Sequence, residues 1–501
     1  MAFFPFQIMK ELLSAFSYMG IHQVASLIFG LVRTKIIAAF LGPAGMGIVS
    51  QANSYLELVK FFSSLGISDG LIKLLADFRR QRDENRLVKT IITVVLLFGF
   101  LGLVMILISS LFSATISEWI FNDTGYGWFV LVAGIGGLFA VEYTAILCIY
   151  QAMLRWAEYA LVSVIGYTLN ILVSTVFILW LGVWGAVFSM ALAQAINVLI
   201  VLYVLRSRVL PKQFSLIWKT KPDRQSLRQL TRFIGPLSTL TIISTVSLLF
   251  IRSQVIHRLG LEANGLYQVV YAISLAYMGL IRNAFNSFGV SKATEVLDEP
   301  AKIVRLQNDE LRLGFIILCP LTLFTMLTRY IWVPLLYSSD FLTAVPLLIW
   351  QLLADLVRML RVTMNVSLIP LERFRFILVD GILDWLGWAL LSSLLIPVMG
   401  VAAVPFSYLL VGVVTLIIAY IYHHKTSAYR IYKINKQLLL KGFLLVLPGI
   451  FLTQYGRGTI PQVILPILLL VIMLTWLPTR DEYHRLVSTL KEKFLTMLRP
   501  R

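Results

Sequence analysis

The sequence predicts an all-α polytopic membrane protein of about fourteen transmembrane helices, built as two pseudo-symmetric six-helix lobes plus a C-terminal hairpin. Three observations carry this. The 501 residues are 58% hydrophobic and only 14% charged, which is not the composition of a soluble domain. Apolar runs of about 20 residues recur, each long enough to cross a hydrocarbon core of ~30 Å. One helix hairpin occurs twice, as VRTKIIAAFLGPAGMGIVSQANSY (Val32–Tyr55) and IRSQVIHRLGLEANGLYQVVYAI (Ile251–Ile273). In both copies an Arg late in an apolar helix (Arg33, Arg252) precedes a Gly-rich turn, Gly42 to Gly47 and Gly260 to Gly265. The copies lie 219 residues apart at the Arg and 218 at the glycines, a duplication of the kind that builds transporters.

The spans expected are 12–40, 47–75, 89–116, 127–151, 158–181, 184–206, 233–257, 265–291, 311–336, 342–368, 375–396, 400–422, 439–456 and 460–478. They are too long and unalternating for barrel strands, and helices satisfy their own backbone groups in lipid. The first lobe is 1–206 and the second 233–424, joined by a basic cytoplasmic linker at 207–232. An extra hairpin occupies 425–478 and a basic tail 479–501. The start lacks the charged region and cleavage site of a signal peptide, so the first helix is read as retained. Cys148 and Cys319 lie in apolar runs without metal spacing or a disulfide framework.

Charge placement sets the orientation. Of the 43 Lys and Arg, 32 fall in one set of alternate loops and the termini, and three (Arg258, Arg329, Arg457) in the other. Both termini are therefore expected in the cytoplasm. The net charge of +18 is then mostly a topology signal rather than a nucleic-acid surface. The outer loops are short, the longest being about Ser117–Tyr126 and Arg329–Phe341.

Ionisable groups at membrane depth are costly and face a bundle interior or a wet cavity. The basic ones are Arg33, Lys35, Lys60, Lys73, Arg252, Arg282, Arg358 and Arg361; the acidic ones are Glu57, Asp69, Glu142, Asp355, Asp380 and Asp384. Asn53, Glu57, Lys60 and Ser64 share one helical stripe, as do Gln351, Asp355, Arg358, Arg361 and Asn365. Glu57–Lys60 and Asp355–Arg358 can neutralise one another at i,i+3. The excess is basic, with Arg33, Arg252, Arg282 and Arg361 read as unpaired and Asp380 with Asp384 as an unmatched acidic pair. Arg forks suit phosphate and carboxylate oxygens, so an anionic substrate is expected. His423 and His424 are read as solvated in a basic loop. GPAGMG lacks the Lys-Ser/Thr ending of a P-loop, and HExxH, CxxC and GxSxG do not occur. No cofactor, metal site or catalytic residue is expected.

Two stretches resemble a known family. Lys35–Phe78, with its FLGPAGMG turn, is similar to the first hairpin of bacterial lipid-linked oligosaccharide flippases, the O-antigen and enterobacterial common-antigen translocases. These belong to the multidrug/oligosaccharidyl-lipid/polysaccharide exporter superfamily. Tyr337–Leu360, with WQLLADLVR, and Glu372–Asp380 resemble the region of spans 9 to 11 of the same family, and the similarity runs over about 10–425. The resemblance implies a flippase of the bacterial inner membrane. It would move polyprenyl-pyrophosphate-linked oligosaccharide to the outer leaflet by alternating access, for O-antigen-type lipopolysaccharide biosynthesis. It implies that Arg33, Lys60, Arg252, Arg282, Arg358 and Arg361 bind the substrate, with Glu57 and Asp355 as charge partners or proton carriers in antiport. Membrane lipids, a polysaccharide polymerase and chain-length machinery are the implied partners. Many such flippases stop after twelve spans, and a fourteen-span form resembles the peptidoglycan lipid-precursor branch. The competing readings are that branch, a drug/cation antiporter, which calls for an acidic cavity, and a membrane polymerase or ligase, which calls for a large outer loop.

Overall fold

The computed structural model describes residues 6–211, 214–217, 220–231 and 235–455. Its α-helices are α1 (Phe6–Ser64), α2 (Ser68–Gln81), α3 (Glu84–Leu111), α4 (Ser113–Phe121), α5 (Gly127–Ala152), α6 (Trp156–Val204), α7 (Phe214–Ile217), α8 (Arg224–Thr231), α9 (Pro236–Leu259), α10 (Leu261–Glu295), α11 (Pro300–Leu336), α12 (Leu347–Asn365), α13 (Phe374–Met399), α14 (Ala403–Ser427) and α15 (Lys433–Tyr455). The described residues contain no strand.

Helices α1 and α6 are 59 and 49 residues long. At ~1.5 Å per residue each is more than twice the ~30 Å of a hydrocarbon core, so each crosses twice. Gly42 (φ 60°, ψ −169°) breaks α1, and Gly182 (φ 57°, ψ −130°) breaks α6. Such φ values crowd a Cβ and leave glycine comfortable. Gly260 (φ 87°) separates α9 from α10, and Gly400 (φ 60°) separates α13 from α14. Gly42 and Gly260 are 218 residues apart, and so are Gly182 and Gly400. The second pair was not part of the repeat read from sequence. It extends the duplication from the first hairpin of each half to the third. Thirteen of the fourteen expected spans fall on helices; the span at 460–478 and the tail at 479–501 lie outside the described residues.

The described residues form two packing units. The first comprises residues up to Val269 together with Leu336–Phe341 and Gly381–Val404. In it α1 packs against α5 and α6, α3 against α5, and α4 against α9. The span expected at 47–75 breaks at Leu65 and Gly66, both at positive φ, and resumes as α2. That helix buries Leu71, Leu75 and Phe78 against Leu87 and Ile91 of α3 and ends in Arg79 and Arg80. The expected outer loop Ser117–Tyr126 is largely the end of α4 followed by a short 3₁₀ turn. The two copies of the repeated hairpin meet in this unit. A side chain at Gly47 would overlap the Leu261 carbonyl, and one at Gly265 the Pro43 carbonyl. Asn264 Nδ2 donates to the Gly47 carbonyl at 2.9 Å.

The second unit comprises Val270–Leu335, Leu342–Asp380 and the described residues from Pro405 onward. Arg329, expected in an outer loop, lies inside α11 and is 2% exposed. Its Nη1 donates to the Met326 carbonyl at 2.5 Å, and its guanidinium lies 5.1 Å from the Tyr330 ring centroid. The lipid face is explicit on α3, where Phe100, Leu103, Leu107 and Leu111 follow a 3–4 spacing and are all more than half exposed. A soluble protein would bury that stripe.

Candidate functional site

Helix α12 carries a polar seam through the second unit. Leu348, Leu352, Ala354 and Leu356 are buried around it, so the Gln351, Asp355, Arg358, Arg361 and Asn365 stripe meets other helices rather than lipid. Polar groups in such a place need partners, and three helices supply them. From α10, Ser274 Oγ donates to Asp355 Oδ1 at 2.9 Å and Tyr277 OH to Asp355 Oδ2 at 2.6 Å. Gln351 Nε2 donates to Ser274 Oγ at 3.1 Å, closing the chain. From α14, the Tyr408 ring centroid lies 3.5 Å from Arg358 Cζ, and the Tyr408 carbonyl accepts from Arg358 Nη2 at 3.3 Å. Stacking suits the planar guanidinium, and Lys would not reproduce it.

From α13, Asp380 Oδ1 lies 3.5 Å from Arg361 Nη1. Arg361 is thus paired, contrary to the expectation of an unpaired cation, and Asp380 is not one half of an unmatched acidic pair. Asn365 Nδ2 donates to Asp380 Oδ2 at 3.0 Å, which turns its Oδ1 toward His423 Nε2 at 3.1 Å. An amide oxygen only accepts, so His423 carries its proton on Nε2. His423 is 1% exposed, not solvated in a loop as expected. Helix α14 continues through it to Ser427.

The first unit presents its charges differently. Lys60 Nζ lies 3.2 Å from Glu57 Oε2, with side chains 32% and 49% exposed. This pair sits on α1 among exposed Asn53 and buried Ser64. Arg33 is half-buried, and its Nε has no hydrogen-bond partner. Arg252, its repeat mate, is 3% exposed and donates to Gln268 Oε1 on α10. His22 lies against Tyr159 and Tyr167, with ring centroids at 4.9 and 5.7 Å. Arg282, expected to bind substrate, is exposed on α10. The geometry thus gathers Asp355, Arg358 and Arg361 into one seam and pairs Glu57 with Lys60.

Sequence reasoning missed Ser274, Tyr277 and His423. The repeat aligns Glu57 and Lys60 with Leu275 and Met278, one residue from Ser274 and Tyr277. Scanning neighbouring positions at i,i+3 would have found a hydroxyl pair.

The chain matches the model of the family described as polysaccharide biosynthesis protein over residues 36–346. It is 24% identical over 385 residues to the lipid III flippases of Escherichia coli K12 and Shigella flexneri, covering 76% of this chain and 90% of each relative. Among solved structures it resembles the lipid II flippase MurJ in an inward closed conformation, with a TM-score of 0.73 and 14% identity. That match covers 93% of this chain and 99% of the other. It also resembles an inward-facing multidrug resistance MATE family transporter of the MOP superfamily, with a TM-score of 0.72 and 16% identity, over 83% and 98% of the two chains. The fold is that of the MOP superfamily, and the chain belongs to the polysaccharide biosynthesis protein family.

Proposed function

We propose that this multi-pass membrane protein is a flippase for lipid-linked glycan. Its substrate is a polyprenyl-pyrophosphate-linked oligosaccharide, moved from the cytoplasmic to the outer leaflet of a bacterial inner membrane for O-antigen-type polysaccharide. The observation that carries this reading is the set of basic groups at membrane depth in a member of a polysaccharide biosynthesis family. Arg33, Lys60 and Arg252 in the first unit would meet the diphosphate, whose oxygens suit guanidinium forks and a Lys point charge. Arg282, Arg358 and Arg361 would serve the glycan or the second arrangement of an alternating-access cycle. Glu57 and Asp355 balance Lys60 and Arg358, and are the groups to carry a counter-transported proton. The lobes would be 1–206 and 233–424, with the 207–232 linker, the tail at 479–501 and both termini in the cytoplasm. A polysaccharide polymerase would take over the delivered glycan.

The test is deletion of the gene, with mass spectrometry of the lipid-linked intermediates. The expected result is loss of the surface glycan and accumulation of its lipid-linked unit. Normal surface glycan without accumulation would refute the reading. A peptidoglycan lipid precursor is the second candidate substrate, favoured by the MurJ likeness extending over 93% of the chain. In that case the accumulated species would carry a peptide.

A further inference from the structure

We propose that Glu310 and Gln307 of α11 form a site for one positive charge, a proton or a sodium ion, within the second unit. Nothing in the substrate reading above requires this site, and its test does not use transport. Glu310 is 3% exposed and Gln307 is fully buried. The two are i,i+3 and share a face of α11. The same face continues to Gly314, where a Cβ would lie 2.6 Å from Met359 Cε of α12. A side chain at Gly289 of α10 would overlap the Glu310 carboxylate and Val366 just beyond α12. Glu310 is thus enclosed by α10, α11 and the end of α12.

The enclosed Glu310 and Gln307 oxygens are acceptors without a donor. Neither Glu310 Oε1 nor Oε2 has a hydrogen-bond partner, and neither does Gln307 Oε1. The Gln307 amide cannot turn to supply a donor. Its Nε2 already donates to the Met364 carbonyl at 2.6 Å and to Ser367 Oγ at 3.2 Å, and a carbonyl takes nothing but a donor.

Basic groups on the surrounding helices have partners of their own or face outward. Lys292 reaches Glu295 at 2.8 Å on α10, and Lys302 reaches Glu299 at 2.6 Å. On α11, Arg305 reaches Asp309 at 3.8 Å and Arg312 reaches Asn435 at 3.4 Å. On α12, Arg358 stacks on Tyr408 and Arg361 pairs with Asp380. Arg282 is exposed. A bare carboxylate in this place would be a buried charge without compensation. A proton on Glu310 removes the charge and creates a donor for Gln307 Oε1. A sodium ion would offset the same charge, with the carboxylate and amide oxygens as hard ligands.

The test uses the purified full-length protein and its melting temperature. One series replaces choline chloride with sodium chloride at constant ionic strength and pH; the other lowers the pH in choline chloride alone. The wild type is expected to gain melting temperature in one series, which identifies the charge as sodium or proton. Glu310→Gln, which brings its own N–H donors, loses that gain, while Glu295→Gln on the exposed surface keeps it. If Glu310→Gln fails to fold, Glu310→Asp serves: it keeps the response with its midpoint moved. A wild type flat in both series, or a Glu310→Gln response equal to the wild type, or a Glu310→Asp midpoint unmoved, would overturn the site.

Discussion

The stripes on α1 and α12 look alike as sequence and differ as structure. Both place acid and base at i,i+3 between flanking amides or hydroxyls. On α12 the stripe is buried, and every charge on it reaches a different helix: Asp355 to α10, Arg358 to α14, Arg361 to α13. On α1, Glu57 and Lys60 find each other and remain about one-third to one-half exposed. Spacing determines that side chains share a face. What that face meets depends on tertiary packing, and it decides whether a charge holds helices together or stays available to a ligand.

The largest effect should come from breaking the α12 seam. Arg361→Leu or Asp380→Leu alone leaves the other charge buried, a loss of about 3–5 kcal/mol. Thermal melts and membrane yield should both fall steeply, and the double substitution should recover most of the loss. If the single variants melt like the wild type, the seam is not buried in the working protein. A middle-sized effect is expected at Tyr277→Phe, which removes one hydrogen bond to the Asp355 carboxylate, about 1.5–3 kcal/mol. The same melts measure it. Lys60→Gln should change stability by less than about 1 kcal/mol, because its pair is exposed. It should instead weaken binding of a diphosphate lipid about tenfold, equivalent to about 1.4 kcal/mol, read by titration of the purified protein.

The smallest effect concerns the linker. Asp223 accepts from Ser226 N at 2.9 Å and Ser226 Oγ at 3.0 Å as α8 begins. The Ser226 backbone N–H holds its carboxyl below the usual Asp value. The carboxylate therefore contributes its capping in full above the ordinary Asp pKa of about 3.9. That contribution is lost as pH falls through the lower folded value. The protection of α8 amides relative to their intrinsic exchange rate should fall on acidification, and Asp223→Ala should show the reduced protection already at neutral pH.

Much of the fold was legible because apolar length is a strong signal. Thirteen spans, the first repeated hairpin and the α12 stripe could be read directly. What was lost lay at the ends of spans. Arg329, His423 and Glu310 all border apolar runs, so hydropathy assigns them to loops. The helices run further than the apolar runs, because neighbouring helices bury and partner the polar residues there. The Gly182 and Gly400 pair escaped for another reason. A positive φ leaves no mark beyond the glycine itself, and the flanking match is short: Gly-Val at Gly182 and Gly400, and Phe-Ser at Phe188 and Phe406. Of the site, the types of charge were legible and their partners were not. Ser274 and Tyr277 are ordinary residues until α10 meets α12.

Transfer of a diphosphate-linked glycan between leaflets is the most direct measurement of the proposed activity. The full-length protein would be reconstituted in proteoliposomes with a fluorescent polyprenyl-diphosphate glycan, and transfer followed by a membrane-impermeant quencher. The wild type should move the lipid between leaflets, and Arg33→Gln and Lys60→Gln should slow transfer about tenfold or more, with melting temperatures near the wild type. Transfer at the wild-type rate in both variants, or none in the wild type, would contradict the proposed function.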